Sequence, residues 1–167
     1  MERIVSGYED KMVSSTPYYQ KVADYVESKY RIKRYHAKDR SIPLTGVPTF
    51  EDFINFLTDT ENKKYINDVH WVSFDKICNP CMYKYNYILK LETLQQDAIL
   101  LRKKLKTMPE DYSLIIPTYS HPRKSDAKIY FDTLPDLLIK KFIKRFQFDF
   151  EAFGYEKPGI KYGRIPR

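Results

Sequence analysis

The first apolar positions of the chain recur every four residues, at Ile4, Tyr8 and Met12. This spacing puts them on one side of a helix, so we predict a helix from the start of the chain to about Val13. No Ser, Thr, Asp or Asn precedes it to cap the first backbone N–H groups. The chain therefore begins inside a predicted helix that has no N-terminal cap.

A second helix is predicted after Thr16, a candidate N-cap that is followed by Pro17. Its apolar stripe has five members: Tyr19, Val22, Ala23, Val26 and Tyr30. The basic stretch RIKRYHAKDR, residues 31–40, is expected to be exposed, and SIPLTGVP, residues 41–48, to form a loop.

Three further segments show helical spacing. The first follows a candidate cap at Thr49 and has its inner face at Phe50, Phe53, Ile54 and Leu57. The second has apolar residues in register at Leu94, Ala98, Leu101 and Leu105. The third is one long helix capped by Asp132 or Thr133, with its stripe at Ile139, Phe142, Ile143, Phe146, Phe150 and Phe153.

One segment between these helices favours β-structure instead. Tyr85–Leu91 alternates and is rich in β-forming residues, so we predict a strand there. The stretch MPEDYSLIIPTYSHPRKSD is expected to be loop. Together these elements predict an α/β fold that is predominantly helical, with one domain over residues 1–155 and a basic tail over 156–167.

Composition supports a globular domain with an anionic partner. Hydrophobic residues make up 43% of the 167 residues and aromatic residues 16%, which is more than a disordered chain would carry. The formal net charge of +7 fits a nucleic acid, an acidic membrane surface, a nucleotide or an acidic polysaccharide, or simply a basic soluble surface. No run of 18 apolar residues and no signal peptide is present, so no membrane span is expected in this chain.

Two groups of residues are candidates for a functional site. Arg3 and Ser6 lie near a helix start, where positive charge and oriented donors can hold a phosphate, although a solvated helix face explains them as well. His70, Cys78 and Cys81 could supply three zinc ligands. The fourth ligand is missing, so a disulfide or two buried thiols remain alternatives, and a redox C-x-x-C lacks its usual βαβ surroundings.

Other charged residues have ordinary explanations. The lysine pairs at 63–64, 103–104 and 140–141 are expected to face water opposite the apolar stripes. Glu92 and Asp97 could act as acids or bases, but acidic residues at a helix start are also favoured by the helix dipole.

The order of several motifs resembles the C-terminal part of a Golgi carbohydrate sulfotransferase. The similar family contains the chondroitin and dermatan 4-O-sulfotransferases and the HNK-1 sulfotransferase. MERIVSGYEDK resembles the second half of that family's R-x-P-[FL]-E-R-[LI]-x-S-x-Y-x-x-K, and Phe50–Leu57 its F-x-x-F-[VI]-x-[YF]-L. His70–Trp71, ICNPC, YNYILKLETL and FQFDFEAFGY match later motifs in the same order.

The resemblance implies a sulfotransferase that uses 3′-phosphoadenosine 5′-phosphosulfate (PAPS) as sulfate donor and no metal. It implies that Ser6 binds the 3′-phosphate of PAPS, with Arg3 as a second candidate. The motif's first Arg, the loop for the 5′-phosphosulfate, the catalytic base and a membrane anchor are all expected upstream of Met1. On this reading the chain is an N-terminally truncated member, and this explains why it begins inside a helix.

The acceptor implied by the resemblance is an anionic glycosaminoglycan or glycoprotein glycan, in the lumen of the Golgi, with no role for nucleic acid. Cys78 and Cys81 match family cysteines, which favours a structural disulfide in that oxidising compartment. Asn86 and Leu89 replace a common Asp and Gly of the family, so a non-catalytic glycan-binding pseudoenzyme is the alternative function. Nucleic-acid binding fits the charge but matches no motif.

Overall fold

The computed structural model of the chain describes most of its length, namely residues 1–13, 16–31, 45–105 and 126–159. These residues belong to two compact units, one formed by Met1–Asn79 together with Lys124–Arg167 and the other by Pro80–Arg123. Regular structure in the described residues is helical. The helical character of the predicted fold is therefore confirmed.

The helices in chain order are α1 (Glu2–Gly7, extended by a π-helical segment Tyr8–Val13), α2 (Pro17–Val26, extended by a π-helical segment Glu27–Arg31), α3 (Phe50–Thr58), α4 (Phe74–Cys78), a 3₁₀ turn (Leu91–Thr93), α5 (Leu94–Leu105), α6 (Ala127–Phe131), α7 (Asp136–Arg145) and α8 (Gln147–Phe153). Those before residue 80 and after residue 123 belong to the first unit.

Helix α3 lies at the centre of the first unit. Its side chains Phe53, Ile54, Phe56 and Leu57 are at most 1% exposed. The helix packs against α7 and against the π-helical end of α2. The apolar spacing that predicted α3 is explained by this burial, because each inner residue removes its side chain from water on one shared face.

The first two predicted helices are confirmed. Ile4 and Met12 are buried, and Tyr8 packs against the same core from a half-buried position. Helix α1 begins after Met1 without a side-chain cap, as expected, and the Met1 carbonyl accepts from the backbone N–H groups of Ile4 and Val5.

The predicted cap of α3 is also confirmed. The Thr49 hydroxyl oxygen accepts from the backbone N–H of Asp52, and the Asp52 carboxylate accepts from the backbone N–H of Thr49. This reciprocal pair is a capping box, which satisfies two backbone donors at the helix start. Thr16 occupies the N-cap of α2, again as predicted, but its side chain makes no capping hydrogen bond.

Arg31 corrects the prediction that residues 31–40 are exposed. The residue is buried, and its guanidinium forms ion pairs with Glu27 and Asp52. It also donates to the Val47 carbonyl at 2.8 Å. A basic run predicts exposure only on average, and here two buried carboxylates neutralise one of its members. Residues 32–40 lie outside the described residues.

The predicted long C-terminal helix is wrong in its start and its continuity. Helix α7 begins after Pro135, so neither Asp132 nor Thr133 is its cap. A proline has no backbone N–H and is tolerated only at a helix start, which explains this boundary. The backbone leaves helical geometry at Phe146, and α8 follows. The apolar stripe itself is confirmed, since Ile139, Phe142, Phe146 and Phe150 are buried.

The predicted strand at Tyr85–Leu91 is wrong. Residues 84–90 are irregular, and a 3₁₀ turn begins at Leu91. A strand needs a neighbouring strand to accept and donate its backbone hydrogen bonds, and none exists among the described residues. Helix α5 follows as predicted, with Ala98 buried, although its Leu105 is exposed.

Candidate functional site

One side of the opening helix faces the segment between α3 and α4. The positions on this side are Arg3, Gly7 and Lys11, each four residues from the next. A Cβ atom at Gly7 would lie 3.1 Å from the His70 carbonyl oxygen and 3.6 Å from the Trp71 ring. A Cβ this close to a carbonyl oxygen would require the neighbouring backbone to shift by a few tenths of an ångström, whereas glycine allows the approach without a shift. Gly7 therefore favours close packing of α1 against the segment that carries His70.

Arg3 lies at one end of this face and is half-buried. Its guanidinium carbon is 4.1 Å from the centre of the Phe74 ring, a cation–π geometry. Burial lowers the pKa of Arg3, and the nearby Asp149 carboxylate acts in the opposite direction. An arginine remains protonated under such shifts, so the site keeps a positive charge.

Asp149 anchors the ring on which Arg3 stacks. Its carboxylate accepts from the backbone N–H of Phe74 at 2.8 Å and from that of Asp75 at 3.2 Å. These are the first two residues of α4, so Asp149 satisfies donors that the helix cannot satisfy itself. Burial raises the pKa of Asp149, and the two backbone bonds and Arg3 only partly offset it.

This raised pKa predicts a pH-dependent difference between the wild type and Asp149→Asn. Because the folded state favours the protonated acid, the contribution of Asp149 to stability is greatest below its unfolded pKa and falls as pH rises. Asn mimics the protonated form and does not titrate. We therefore expect the wild type to lose stability relative to the variant between about pH 3 and 6, measured by urea unfolding. A difference that grows in favour of the wild type over this range would contradict the assignment.

Ser6, the predicted ligand of the 3′-phosphate, is exposed on α1 three residues after Arg3. Its hydroxyl donates to the Asp10 carboxylate at 2.9 Å. Residues three apart on a helix are neighbours, so Ser6 and Arg3 lie on adjoining parts of the same surface. A bound phosphate would need the Ser6 hydroxyl to turn away from Asp10. Nothing in the structure tests the phosphate roles of the two residues, which stay predictions.

A second cluster lies at the middle of the α1 face and was not predicted as a unit. The Nδ1 atom of His70 is 2.6 Å from Asp68 Oδ1 and 2.9 Å from the Tyr19 hydroxyl. Tyr19 also donates to Asp68 Oδ2 at 3.3 Å. Burial and the adjacent Asp68 raise the pKa of Tyr19. The sequence placed His70 in a family motif and offered it as a zinc ligand, and the Asp two residues before it was the signal for this cluster that was missed.

The zinc interpretation gains no support. Within the described part of the chain, no three His, Cys, Asp or Glu side chains are grouped so as to hold a metal ion. Cys78 ends α4 in a half-buried position, Cys81 is exposed, and both carry thiols in the structure. The disulfide between them stays a prediction.

The second unit carries the other acidic candidates and a group of exposed aromatic residues. Asp97 accepts from the backbone N–H of Lys90 and from the Thr93 hydroxyl, so it acts as a helix-start cap. Glu92 is exposed. An open cavity of about 240 Å³ is lined by Tyr87, Ile88, Leu89, Asp97, Leu100, Leu101 and Lys104.

No helix in the described ranges is both long enough and apolar enough to cross a lipid bilayer.

Comparison with known proteins identifies relatives of the chain. The pattern of the Sulfotransferase family matches residues 1–156. Carbohydrate sulfotransferase 10 of Xenopus laevis is 32% identical over 168 residues, which cover 94% of this chain and 45% of that protein. The Danio rerio protein of the same name is 29% identical over 95% of this chain and 45% of its own length.

A different relative matches a shorter region. Carbohydrate sulfotransferase 12 of Xenopus laevis is 36% identical over 115 residues, covering 67% of this chain and 27% of that protein. The chain thus spans slightly less than half the length of the first relatives, at 45%. No solved structure matches it at a significant level.

Proposed function

The chain belongs to the Sulfotransferase family, and from this membership we propose that it serves in the transfer of sulfate from PAPS to a hydroxyl of a carbohydrate. The acceptor class is an anionic glycosaminoglycan-type chain, with N-acetylgalactosamine of chondroitin or dermatan as the first candidate. The motif resemblance makes the Golgi lumen the expected compartment. The observation that carries the proposal is the match over residues 1–156, which includes both Arg3 and Ser6.

In this proposal Arg3 binds the 3′-phosphate of the donor. Its guanidinium makes no hydrogen bond or ion pair with any other described residue; it stacks on the Phe74 ring, and the Asp149 carboxylate is nearby. An arginine has five N–H donors in a planar arrangement that suits phosphate oxygens. Stacking on Phe74 fixes the plane while leaving these donors available.

Ser6 supplies the second contact to the same phosphate. Its hydroxyl is exposed and close in sequence to Arg3, and an O–H donor to a phosphate oxygen is a charge-assisted hydrogen bond. The net charge of +7 favours both the nucleotide and an anionic acceptor through long-range attraction.

The test is calorimetric titration of the chain with adenosine 3′,5′-bisphosphate, the product that PAPS leaves after transfer. Adenosine 5′-monophosphate is the matched ligand without the 3′-phosphate and is expected to bind more weakly. Arg3→Gln is expected to weaken bisphosphate binding about 10- to 100-fold, the value of a hydrogen bond to a charged group. Arg145→Gln is the control, since Arg145 also stacks on a phenylalanine ring, that of Phe146 at 5.6 Å.

Ser6→Ala gives a second, independent measurement of the same site. We expect a loss of about 10-fold in bisphosphate affinity and no change in affinity for the monophosphate. Ser28→Ala is the control, because the Ser28 hydroxyl also donates within its own helix, to the Tyr25 carbonyl. Equal affinity of the two nucleotides for the wild type would contradict the proposed phosphate roles.

Asp10 provides a prediction in the opposite direction. Its carboxylate holds the Ser6 hydroxyl and places a negative charge beside the proposed phosphate. Asp10→Asn removes that repulsion, which is about 1 kcal/mol for two charges 4 Å apart in water. We therefore expect about fivefold tighter binding of the bisphosphate, with little change for the monophosphate. Weaker binding would show that Asp10 supports Ser6 rather than competing with the ligand.

A second candidate function is glycan binding without sulfate transfer. It is favoured by the exposed side chains of Tyr83, Tyr85 and Tyr87, which are 58%, 51% and 43% exposed. Exposed tyrosines present a flat apolar ring with a polar end, a surface that suits a sugar. Binding of chondroitin oligosaccharides without any binding of the bisphosphate would favour this alternative over the transferase.

A further inference from the structure

One side of α2 and the segment at residues 62–65 together form a surface of tyrosine rings and a lysine. The rings of Tyr18 and Tyr25, both on α2, meet the ring of Tyr65 edge to face, with 6.2 and 5.6 Å between ring centres. Tyr18 is 53% exposed, and the other two tyrosines are half-buried. The Nζ atom of Lys64 lies 4.8 Å from the centre of the Tyr25 ring and 4.9 Å from that of Tyr65. These four residues are called the tyrosine–lysine surface below.

The segment that carries Lys64 and Tyr65 is held in place from below by buried polar contacts. Oδ1 of the buried Asn62 accepts from the Tyr25 hydroxyl at 2.8 Å and from the backbone N–H of Lys64 at 3.2 Å. Tyr65 has a φ of 60°, which a bulky residue rarely adopts, and its carbonyl accepts from the indole N–H of Trp71 at 2.9 Å. The surroundings therefore keep a strained backbone in place, and this fixes how the two side chains are presented.

Lys64 supplies the unneutralised charge of this surface. Its ammonium group forms no ion pair and no hydrogen bond with any residue that the structure describes. Lys29 is paired with Asp59 at 3.3 Å, and the exposed Lys63 and Glu61 carry opposite charges. Two aromatic rings attract the Lys64 ammonium without using its three N–H donors, so these donors are available to an anion.

The tyrosine–lysine surface is continuous with the side of α1 that begins at Arg3. The Nζ atom of Lys11 lies 5.2 Å from the centre of the Tyr19 ring, and about two helical turns separate Lys11 from Arg3. The Tyr19 ring in turn meets that of Tyr18 edge to face at 5.0 Å. Cations and aromatic rings therefore alternate along the surface from Arg3 to Lys64.

This combination of side chains suits a chain of acidic sugars. The face of a sugar ring carries C–H groups that pack on an exposed aromatic ring, and a tyrosine also offers its hydroxyl to the sugar. A carboxylate or sulfate on the same chain forms a charge-assisted hydrogen bond with an ammonium group. A single-stranded nucleic acid also stacks on tyrosines and pairs with lysines, so it is the other polyanion to compare.

We infer that the tyrosine–lysine surface is a binding site for an acidic polysaccharide, in which Tyr18 stacks on a sugar ring and Lys64 binds an acid group. The choice of a glycan over another polyanion rests on the proposed function. The site holds the acceptor chain away from the donor phosphate. It adds affinity because a chain anchored there meets the remaining contacts at a raised effective concentration.

The first experiment is calorimetric titration of the full chain with desulfated chondroitin oligosaccharides. Tyr18→Ala is expected to weaken binding about 2- to 10-fold, and Lys64→Gln about fivefold because water screens an exposed ion pair. Both side chains are exposed, so the fold should persist, and circular dichroism checks this. The controls are Phe148→Ala and Lys140→Gln, an exposed aromatic residue and an exposed lysine on other helices of the same unit, which should keep the wild-type affinity.

The second experiment separates the two roles by changing the ligand. Reducing the carboxylates of the oligosaccharide to alcohols keeps the sugar rings and removes the charge. We expect the wild type to bind this neutral ligand about fivefold more weakly, and Lys64→Gln to cause no further loss. Tyr18→Ala should keep its full effect on both ligands. An undiminished effect of Lys64→Gln on the neutral ligand would overturn the role of that residue.

The outcomes separate the inference from the proposed function. Weaker oligosaccharide binding in both variants, with unchanged affinity for adenosine 3′,5′-bisphosphate, supports both. Bisphosphate binding with wild-type oligosaccharide affinity in both variants, or with a loss only in Tyr85→Ala of the second unit, overturns the inference and leaves the proposed function standing. Absence of bisphosphate binding while both variants still lose oligosaccharide affinity overturns the donor role and leaves the glycan site standing.

Two further outcomes would overturn the inference directly. One is the absence of oligosaccharide binding by the wild type. The other is tighter binding of single-stranded oligothymidylate than of the oligosaccharide, with the same loss in Tyr18→Ala and Lys64→Gln. That result would assign the surface to a nucleic acid instead of a glycan.

Discussion

Replacing Arg31 with methionine is expected to destabilise the folded protein by about 3–5 kcal/mol, the cost of breaking a buried ion pair from one side. Arg31 lies between two carboxylates whose side chains are almost fully buried, Glu27 at 1% and Asp52 at 0% exposed. Methionine has a similar length but no charge. Both carboxylates would then stay in the core without a cation.

The same change would free several groups that Arg31 organises. The Val47 carbonyl would keep only the Thr45 hydroxyl as a donor, and Oδ1 of Asp52 already has no hydrogen-bond partner among the described residues. Glu27 would keep only the hydrogen bonds it accepts from Thr45 and Gly46. The loss of stability is measured as the shift of the urea unfolding midpoint. The slope of the unfolding free energy against urea concentration should stay unchanged, which shows that the shift reports stability.

The control is Arg145→Met, because Arg145 forms no ion pair with any residue that the structure describes. This arginine is half-buried and stacks on Phe146, so we expect a loss below about 1 kcal/mol. If Arg31→Met costs no more than Arg145→Met, the buried network does not contribute as argued.

Replacing Trp71 with alanine is the second large effect, again about 3–5 kcal/mol. Trp71 is 1% exposed, and its ring meets those of Tyr19, Phe53 and Phe56 edge to face at 5.6–6.1 Å. Its indole N–H donates to the Tyr65 carbonyl at 2.9 Å. Alanine would leave a cavity beside α3 and an unsatisfied carbonyl in the same place.

The measurement has to avoid fluorescence, because Trp71 is the one tryptophan of the chain. Circular dichroism during urea unfolding reports the helices instead. Trp71→Phe is the graded variant, since it keeps most of the ring packing but removes the hydrogen bond. We expect its loss to be less than half that of Trp71→Ala, and equal losses would show that the hydrogen bond, not the packing, dominates.

Periodic burial was the part of the fold that could be predicted from the sequence. Helices α1, α2 and α3 lie where the apolar spacing placed them, and the cap at Thr49 forms as expected. These features depend on interactions within a few residues, so local sequence is enough to specify them. The Tyr85–Leu91 strand failed because a strand depends on a distant partner that no local pattern reveals.

The candidate site shows the same division between features set by local sequence and features set by distant contacts. Arg3 and Ser6 were identified through their motif, and His70 through its residue type, but none of their surroundings could be predicted. The stacking of Arg3 on Phe74 joins residues 71 positions apart in the chain. The contact of Tyr19 with His70 spans 51 positions. Such contacts depend on how the helices pack, which apolar spacing does not encode.

By itself the sequence determined where most helices form, the excess of positive charge, and the motifs that relate the chain to sulfotransferases. Only the tertiary structure decided that Arg31 is buried, that Phe146 interrupts the last helix, and that Asp68 and Tyr19 orient His70. The physical reason is the range of the interactions. Helix periodicity and capping act within about four residues, whereas buried ion pairs and side-chain clusters need elements from distant parts of the chain to be brought together.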